Sequence, residues 1–370
     1  MAKVRKDKGG RLVLATGLMG AVGTWAVLLS TWVSPATWAV PALAGLGFPL
    51  FGVMLFSGAL GSLWFRRWKS SLVLLLTLSA SWPLFQSTWG SMGWGMSMVK
   101  GESTELKCMT WNVRLFDHYG WLGGVKPQIL ESISTANPDI LCLQEYFKAA
   151  DPNAFPVSQP LQASLASDGG REFDRHVVWA REKGGRQFGV ATWSRYPIVG
   201  EFAIQFGTRS NNVCAVTDID REGDTVRVFN AHFASLHFDS EDYEALEEGV
   251  PDAATRQKMW SRMKQAYQLR VSQVNAVLKA VDESPHPVVL CGDFNDIPVS
   301  WALQTMRSRL RDTHDIRGLR LDGTWQGAIP GVRIDHILVA PSWEVKSHVT
   351  GGSGLSDHRY VSATLRVPSL

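Results

Sequence analysis

Polar side chains that could hold a metal ion or move a proton lie at the ends of several apolar, strand-like segments. Each segment ends in a carboxylate, a carboxamide or an imidazole, namely Asn112, Gln144 and Glu145, Asn230 and His232, Asp293 and Asn295, Asp335 and His336, and Asp357 and His358. Any one of these residues could be explained by a turn, a cap or a surface histidine. If these strand ends meet, several carboxylates lie close together, and removing them from water is costly without a cation. The polar strand ends therefore predict a metal-assisted site.

The elements that must position these residues are short strands and two helices from residue 107 onward. Strands are predicted at 107–113, 140–143, 176–180, 188–193, 214–220, 225–233, 288–291, 334–339 and 360–367, and helices at 127–136 and 253–281. Many strands with two flanking helices favour an α/β sandwich of packed sheets. The four cysteines lie in or beside strands, where buried free thiols are the commoner state, although their even number would also permit disulfides.

The first hundred residues have a different composition. No charged residue occurs between Leu12 and Phe65, or between Ser70 and Val99. Both stretches exceed the roughly 20 apolar residues that span a bilayer, so we expect a membrane protein rather than a wholly soluble one. Three transmembrane helices are predicted, at 12–33, 38–65 and 71–89, within a membrane domain over 12–90. A cleavable signal peptide is the alternative for the first helix, but two further apolar segments follow it.

The charge distribution predicts an orientation. The chain carries +3 overall, with +7 in residues 1–69 and −1 in 70–106, which leaves −3 for the remainder. The basic tail 1–11 and the basic cluster before the third helix should both face the cytoplasm. Three crossings then place everything after Trp89 in the periplasm or outside the cell, beyond a linker over 91–106. If the third segment only lies at the membrane surface, the globular part is cytoplasmic instead.

Seven short motifs follow one another from residue 110 onward. They are Thr110-Trp111-Asn112-Val113, Leu143-Gln144-Glu145, Ser194-Arg195-Tyr196-Pro197-Ile198, Asn230-Ala231-His232, Gly292-Asp293-Phe294-Asn295-Asp296-Ile297-Pro298, Arg333-Ile334-Asp335-His336-Ile337-Leu338 and Leu355-Ser356-Asp357-His358. With these motifs in this order, residues 107–370 resemble the endonuclease/exonuclease/phosphatase superfamily, the fold of pancreatic-type DNase. Membrane helices before such a domain are similar to those of a membrane-bound bacterial subgroup. The resemblance implies a four-layer, DNase-I-like α/β sandwich that hydrolyses phosphate esters with Mg²⁺ or Mn²⁺.

The resemblance also implies how the metal and the water are held. Glu145 is the main metal ligand, with Asp357 and the amide of Asn112 near it. Mg²⁺ takes oxygen ligands and keeps several waters, so one or two carboxylates suffice. Asp293 orients or deprotonates the attacking water, and Asn295 binds the phosphate.

Four further residues have implied roles in proton transfer and charge stabilisation. His358 pairs with Asp335, which fixes the tautomer of the imidazole and raises its basicity. Whether Asp293 or His358 takes the proton of the water stays open. His232 neutralises the phosphate or protonates the leaving group, while Asn230 orients its neighbours.

The substrate class stays open between a nucleic acid and a phospholipid headgroup. The short linker and the −3 charge of the soluble part slightly favour the lipid. The lipid bilayer, contacted through the N-terminal helices, and a phosphoester substrate are the partners we expect. The alternative function is a non-catalytic, membrane-tethered module that binds a phosphorylated ligand on the same fold.

Overall fold

The chain divides into two compact units. The computed structural model describes residues 2–90, 105–166, 172–207, 210–236, 252–318, 322–327 and 331–366. The first unit comprises Met1–Trp89, Ser240–Val271 and Ile297–Thr305, and the second comprises Gly90–Asp239, Ser272–Asp296 and Met306–Leu370. The predicted linker over 91–106 falls outside the described residues except for its last two positions.

The N-terminal part of the first unit is helical. Its helices are α1 (Ala2–Trp32), α2 (Val40–Ala44), α3 (Phe48–Trp64), α4 (Trp68–Ala80) and α5 (Trp82–Trp89). Within the described residues, two stretches are long and apolar enough to cross a membrane, Lys8–Trp32 and Val40–Trp64. The third predicted span is instead divided at Ser81 into helices of 13 and 8 residues. Pro83 follows this break and cannot donate a helical hydrogen bond. The described residues therefore contain two stretches that could each cross a membrane, and the third predicted span stays a prediction.

Helices α1 and α3 approach each other through glycines. A Cβ atom built on Gly58 would lie 2.2 Å from the Cα atom of Gly17, so the two backbones touch there. Large apolar side chains point away from this contact, among them Val22 (71% exposed) and Val53 (63% exposed). Small residues inside and large apolar residues outside are typical of helices that pack in lipid.

The described residues of the second unit form two six-stranded sheets. The strands are β1 (Glu105–Asn112), β2 (Ile140–Lys148), β3 (Asp174–Lys183), β4 (Arg186–Ser194), β5 (Ile198–Gln205), β6 (Val213–Arg221), β7 (Asp224–His232), β8 (Val288–Asp293), β9 (Arg311–Asp312), β10 (Asp335–Val339), β11 (Glu344–Gly351) and β12 (Tyr360–Arg366). The first sheet has the order β11-β12-β1-β2-β4-β3 and the second β5-β6-β7-β8-β10-β9. Every strand predicted from the sequence is present.

Within the described residues, five more α-helices follow the first strand. They are α6 (Lys126–Ala136), α7 (Ser158–Leu165), α8 (Ala253–Asp282), α9 (Trp301–Arg307) and α10 (Thr313–Arg317). Both predicted helices, 127–136 and 253–281, correspond to α6 and α8. The strands β5, β9 and β11 were not predicted. Strand β5 is mostly exposed at a sheet edge, so it lacks the apolar pattern of a buried strand.

The two sheets share a core, and α6 and α7 cover the first sheet. The inter-sheet core contains Cys108 and Ile140 from the first sheet and Val228, Val289 and Ile337 from the second. The opposite face of the first sheet packs on the two helices through Met109, Trp111, Ile129, Ile133 and Leu161. The four cysteines are buried free thiols, so the disulfide alternative is wrong. The predicted α/β sandwich of two sheets is confirmed.

The sheet topology gathers the polar strand ends at one edge. Strands β1 and β2 are parallel, as are β7 and β8, so the C-terminal ends of each pair lie together. Strands β10 and β12 run antiparallel to β8 and β1, which brings their N-terminal ends to the same edge. In this register Asp293 lies beside His232 on one side and Asp335 on the other.

A buried ionic network lies around His336 on β10. Its Nδ1 is 3.2 Å from Oδ2 of Asp312, and its Nε2 is 3.2 Å from the carbonyl oxygen of Asp296. The same oxygen of Asp312 accepts hydrogen bonds from Arg333 at 2.8 Å and Arg307 at 3.1 Å. Burial disfavours the charge of Asp312, but Arg333 and His336 hold its pKa well below the usual range.

Acid should destabilise the second unit through two buried histidines. Burial lowers the pKa of His336 to about 4 and that of His348 to about 3. Histidine in the unfolded chain titrates near 6.5, so below that pH the unfolded state binds more protons and stability falls with pH. Together the two histidines should lower the free energy of unfolding by about 5 kcal/mol between pH 6.5 and 4, at roughly 1.36 kcal/mol per pKa unit. Thermal unfolding of the full chain in detergent measures this. A His336→Phe variant should show a weaker pH dependence, and an unchanged dependence would contradict the assignment.

Candidate active site

Asp293, the last residue of β8, is the centre of the site. Its Oδ2 accepts a hydrogen bond from the side-chain amide of Asn112 at 3.0 Å, and its Oδ1 accepts one from the backbone N–H of Asn295 at 2.9 Å. The Nε2 atoms of His232 and His358 lie 3.6 Å and 3.8 Å from the same Oδ2. The carboxylate is therefore fixed by two donors and lies between two imidazoles.

His358 is held by contacts on both its ring and its backbone. Its Nδ1 is 2.9 Å from Oδ2 of Asp335, which leaves Nε2 facing Asp293. Its carbonyl oxygen accepts a hydrogen bond from the indole of Trp111, and its backbone N–H donates to the hydroxyl of Ser356. Burial alone would lower the pKa of His358, but the neighbouring carboxylates, Asp335 foremost, raise it well above its usual value.

Glu145 is aimed by an irregularity in β2. The register of β2 against β4 shifts between Leu143 and Tyr146, and Glu145 has a φ of 50° in the left-handed region. Such bulges redirect a side chain out of the sheet pattern. Glu145 Oε1 accepts a hydrogen bond from the amide of Asn112 at 3.2 Å. Burial raises the pKa of Glu145, and the negative charge of Asp357 raises it further.

The donor set fits a hard divalent cation. The carboxylates of Glu145 and Asp357 repel each other, and a cation between them would offset that repulsion. The ligand atoms of Asp293, Asp335 and His358 also lie within 4.8 Å of one another, so they form a second group able to hold an ion. The amide nitrogen of Asn112 faces Glu145, while its oxygen accepts the backbone N–H of Arg114. The ligand role implied for Asn112 stays a prediction.

Two predicted site residues form bonds outside this cluster. Asn230 is fully buried, donates to the carbonyls of Leu143 and Ala191 and accepts a hydrogen bond from Gln144 at 2.7 Å. These bonds join the two sheets through residues that precede Glu145 on β2 and through β4. The orienting role implied for Asn230 stays a prediction. Asn295 has a φ of 51°, and its amide donates to the carbonyl of Phe233 at 3.0 Å.

One neighbour of the site was missed from the sequence. Arg114 follows Asn112 by two residues, and its Nε lies 3.5 Å from Oδ2 of Asp357. Its guanidinium also lies 4.6 Å from the ring centroid of Trp121. A cation so close in sequence to a predicted metal site was the available signal.

The fold and the motifs are shared with known proteins. The Endonuclease/Exonuclease/phosphatase family matches residues 109–358. A family protein from Beutenbergia cavernae has 21% sequence identity and a TM-score of 0.51, with 72% of each chain covered. The human Nocturnin catalytic domain with bound sulfate has 18% identity and a TM-score of 0.51, covering 72% of this chain and 96% of that one. Humanized D. rerio TDP2 has 17% identity and a TM-score of 0.50, covering 72% of this chain and 100% of that one.

No curated protein matches in sequence. With the match spanning 109–358 and the polar strand ends gathered at one edge, this chain belongs to the Endonuclease/Exonuclease/phosphatase family.

Proposed function

We propose that this protein is a membrane-anchored phosphoester hydrolase that depends on a divalent metal ion. Members of its family are generally hydrolases of phosphoester bonds. The observation that carries the proposal is the carboxylate of Asp293 between His232 and His358, at the edge that also bears Glu145 and Asp357. These groups can orient water, neutralise a phosphate and hold a cation within one site.

Glu145 and Asp357 are the residues we assign to the metal, with Mg²⁺ or Mn²⁺ as the ion. A bound divalent ion would supply charge stabilisation to the phosphate oxygens and to the leaving oxygen. The raised pKa of Glu145 supports the assignment, because it reflects a burial and charge environment that a cation would relieve.

Asp293 is the residue we assign to orienting the attacking water. Its carboxylate cannot turn freely, because Asn112 and the backbone of Asn295 both donate to it. His358, fixed by Asp335, would then stabilise the negative charge on the phosphate through Nε2. His232 faces the same carboxylate from the other side and is placed to donate a proton to the leaving oxygen.

We further propose that α4 and α5 together complete a third membrane crossing. Large side chains of α4 are exposed, including Leu72 (58%) and Leu76 (61%), which suits contact with lipid. The basic cluster of Arg66, Arg67 and Lys69 then stays on the cytoplasmic side, and the second unit lies outside. A reporter fused after Leu370 should be active only in the periplasm. Activity only in the cytoplasm would show that α4 and α5 do not cross.

A Glu145→Gln variant should lose metal-dependent hydrolysis by about a hundredfold or more at limiting metal, because the amide cannot replace the carboxylate as a ligand. The full chain in detergent would be assayed on bis(p-nitrophenyl) phosphate, DNA, RNA, sphingomyelin and phosphatidylinositol phosphates, with Mg²⁺ and with excess chelator. Raising the Mg²⁺ concentration should recover part of the activity. Calorimetric titration with Mn²⁺ should show weaker binding to the variant.

A matched control separates loss of the ligand from a general effect of removing a carboxylate. Glu131 is exposed on α6, so Glu131→Gln should keep wild-type turnover and Mn²⁺ binding. Wild-type rates in Glu145→Gln would refute the metal assignment. Binding of phosphate esters without turnover by the wild type would favour the non-catalytic module instead.

A further inference from the structure

An exposed aromatic pair lies in the loop that follows β1. Tyr119 is 47% exposed and Trp121 is 54% exposed, and their ring centroids are 4.9 Å apart. We refer to these two residues as the aromatic platform. Neither residue belongs to the core clusters of the second unit, and neither has a role in the hydrolytic site described above. Large exposed rings placed side by side suggest a binding surface.

The loop that carries the platform is held in a strained conformation. Arg114, Leu115, Phe116 and Asp117 have φ values of 43°, 56°, 54° and 55°, a run that non-glycine residues rarely adopt. The buried carboxylate of Asp117 accepts backbone hydrogen bonds from Leu122, Gly124 and Val125 at 3.0, 2.7 and 3.3 Å. Strain of this kind persists only where surrounding contacts impose it, so the platform is preformed.

Arg114 connects the platform to the hydrolytic site. Its guanidinium lies 4.6 Å from the ring centroid of Trp121, and its Nε lies 3.5 Å from Oδ2 of Asp357. Its backbone N–H donates to Asn112 at 3.1 Å. One arginine therefore touches both a flat ring surface and the edge of the predicted metal site. A guanidinium can bind phosphate oxygens and can also stack on a planar base.

We propose that the aromatic platform binds a nucleobase beside the scissile phosphate, so that the substrates of this site are nucleoside phosphoesters. The inference rests on the proposed function, and it names the substrate class. A nucleotide carries a flat aromatic ring a short distance from its phosphate, which matches a stacking surface next to a phosphate site. A phospholipid headgroup has no such ring. A second cation, Arg186, lies 3.4 Å from the hydroxyl of Tyr119 and suits a polyanionic chain.

Two esters with the same leaving group test the proposal. Thymidine 5′-(p-nitrophenyl phosphate) carries a base on the retained side, whereas methyl p-nitrophenyl phosphate does not. For the full chain in detergent with Mg²⁺, Trp121→Ala should lower kcat/KM for the thymidine ester about tenfold or more, mainly through KM. Turnover of the methyl ester should stay at the wild-type rate, and Trp121→Phe should keep most of the preference for thymidine.

Phe202 provides the matched control, since it is 41% exposed and Arg227 lies 5.0 Å from its ring centroid. Phe202→Ala should leave both esters unaffected. Equal losses on both esters in Trp121→Ala, or no loss on either, would overturn the proposal. If Trp121→Ala lowered only the binding of the protein to phosphatidylcholine vesicles, the proposal would also be overturned, and the two rings would instead contact a membrane.

A binding measurement separates this proposal from the proposed function. Calorimetry with thymidine 5′-monophosphate and with methyl phosphate should show preferential binding of the nucleotide that Trp121→Ala abolishes. If the wild type hydrolyses neither ester but binds the nucleotide in this way, the hydrolase assignment fails and the nucleobase site stands. If the wild type hydrolyses both esters but binds the two ligands with equal affinity, the hydrolase assignment stands and the nucleobase site fails.

Discussion

Replacement of His358 by alanine is expected to lower kcat for phosphoester hydrolysis by about 10²- to 10⁴-fold. The imidazole is fixed by Asp335 at 2.9 Å, and its Nε2 lies 3.8 Å from Asp293. A donor held in this way stabilises charge on the phosphate without reorganising during the reaction. Steady-state kinetics on the full chain with saturating Mg²⁺ measures the effect, which should fall on kcat more than on KM.

Asp335→Asn gives an independent check of the same pair. An amide carries no negative charge and can donate as well as accept a hydrogen bond. The imidazole of His358 therefore loses the carboxylate that fixes its tautomer and orientation through Nδ1. We expect a loss of kcat of at least about a hundredfold, and Asp335→Asn combined with His358→Ala should cost little more than His358→Ala alone. His286 lies before β8, at the opposite end of that strand from Asp293, so His286→Ala should keep wild-type rates. Additive losses in the double variant would show that the two residues act separately.

The site residues could be predicted because the sequence immediately around each of them marks it as unusual. A polar residue that ends an apolar strand is visible in the sequence, as at Asn112, Glu145 and Asp293. Their meeting follows from the parallel pairs β1–β2 and β7–β8, which bring like ends together. The geometry that links the residues is not local. Glu145 reaches Asn112 only because β2 bulges, and no residue type at that point requires a bulge.

The residues around the site were not predictable for a related reason. Arg114 and Asp357 are far apart in the sequence. They come into contact through a left-handed turn that four non-glycine residues form. Asp312 lies in a short segment rich in charge, Arg309-Leu310-Arg311-Asp312, which is typical of an exposed turn. Tertiary contacts with Arg333 and His336 bury it instead. The break between α4 and α5 depends on Ser81 and Pro83, which apolar length alone does not reveal.

Replacement of Asp312 by alanine is expected to destabilise the second unit by about 3–5 kcal/mol, because it removes one member of a buried ionic network. Asp312 is 1% exposed, and its Oδ2 lies 2.8 Å from Arg333, 3.1 Å from Arg307 and 3.2 Å from His336. Its Oδ1 also accepts the backbone N–H of His314 at the start of α10. Thermal unfolding of the full chain in detergent should show a midpoint lowered by roughly 10 °C.

The exposed pair of Asp282 and Arg309 is the matched control for this network. Their side chains are 48% and 46% exposed and 3.4 Å apart, so Asp282→Ala should cost less than about 1 kcal/mol. Equal midpoints for Asp312→Ala and Asp282→Ala would contradict the importance of the buried network. The same network reaches the site, because His336 Nε2 lies 3.2 Å from the carbonyl of Asp296, one residue after Asn295. Asp312→Ala should therefore also lower kcat at temperatures where the variant is still folded, whereas Asp282→Ala should not.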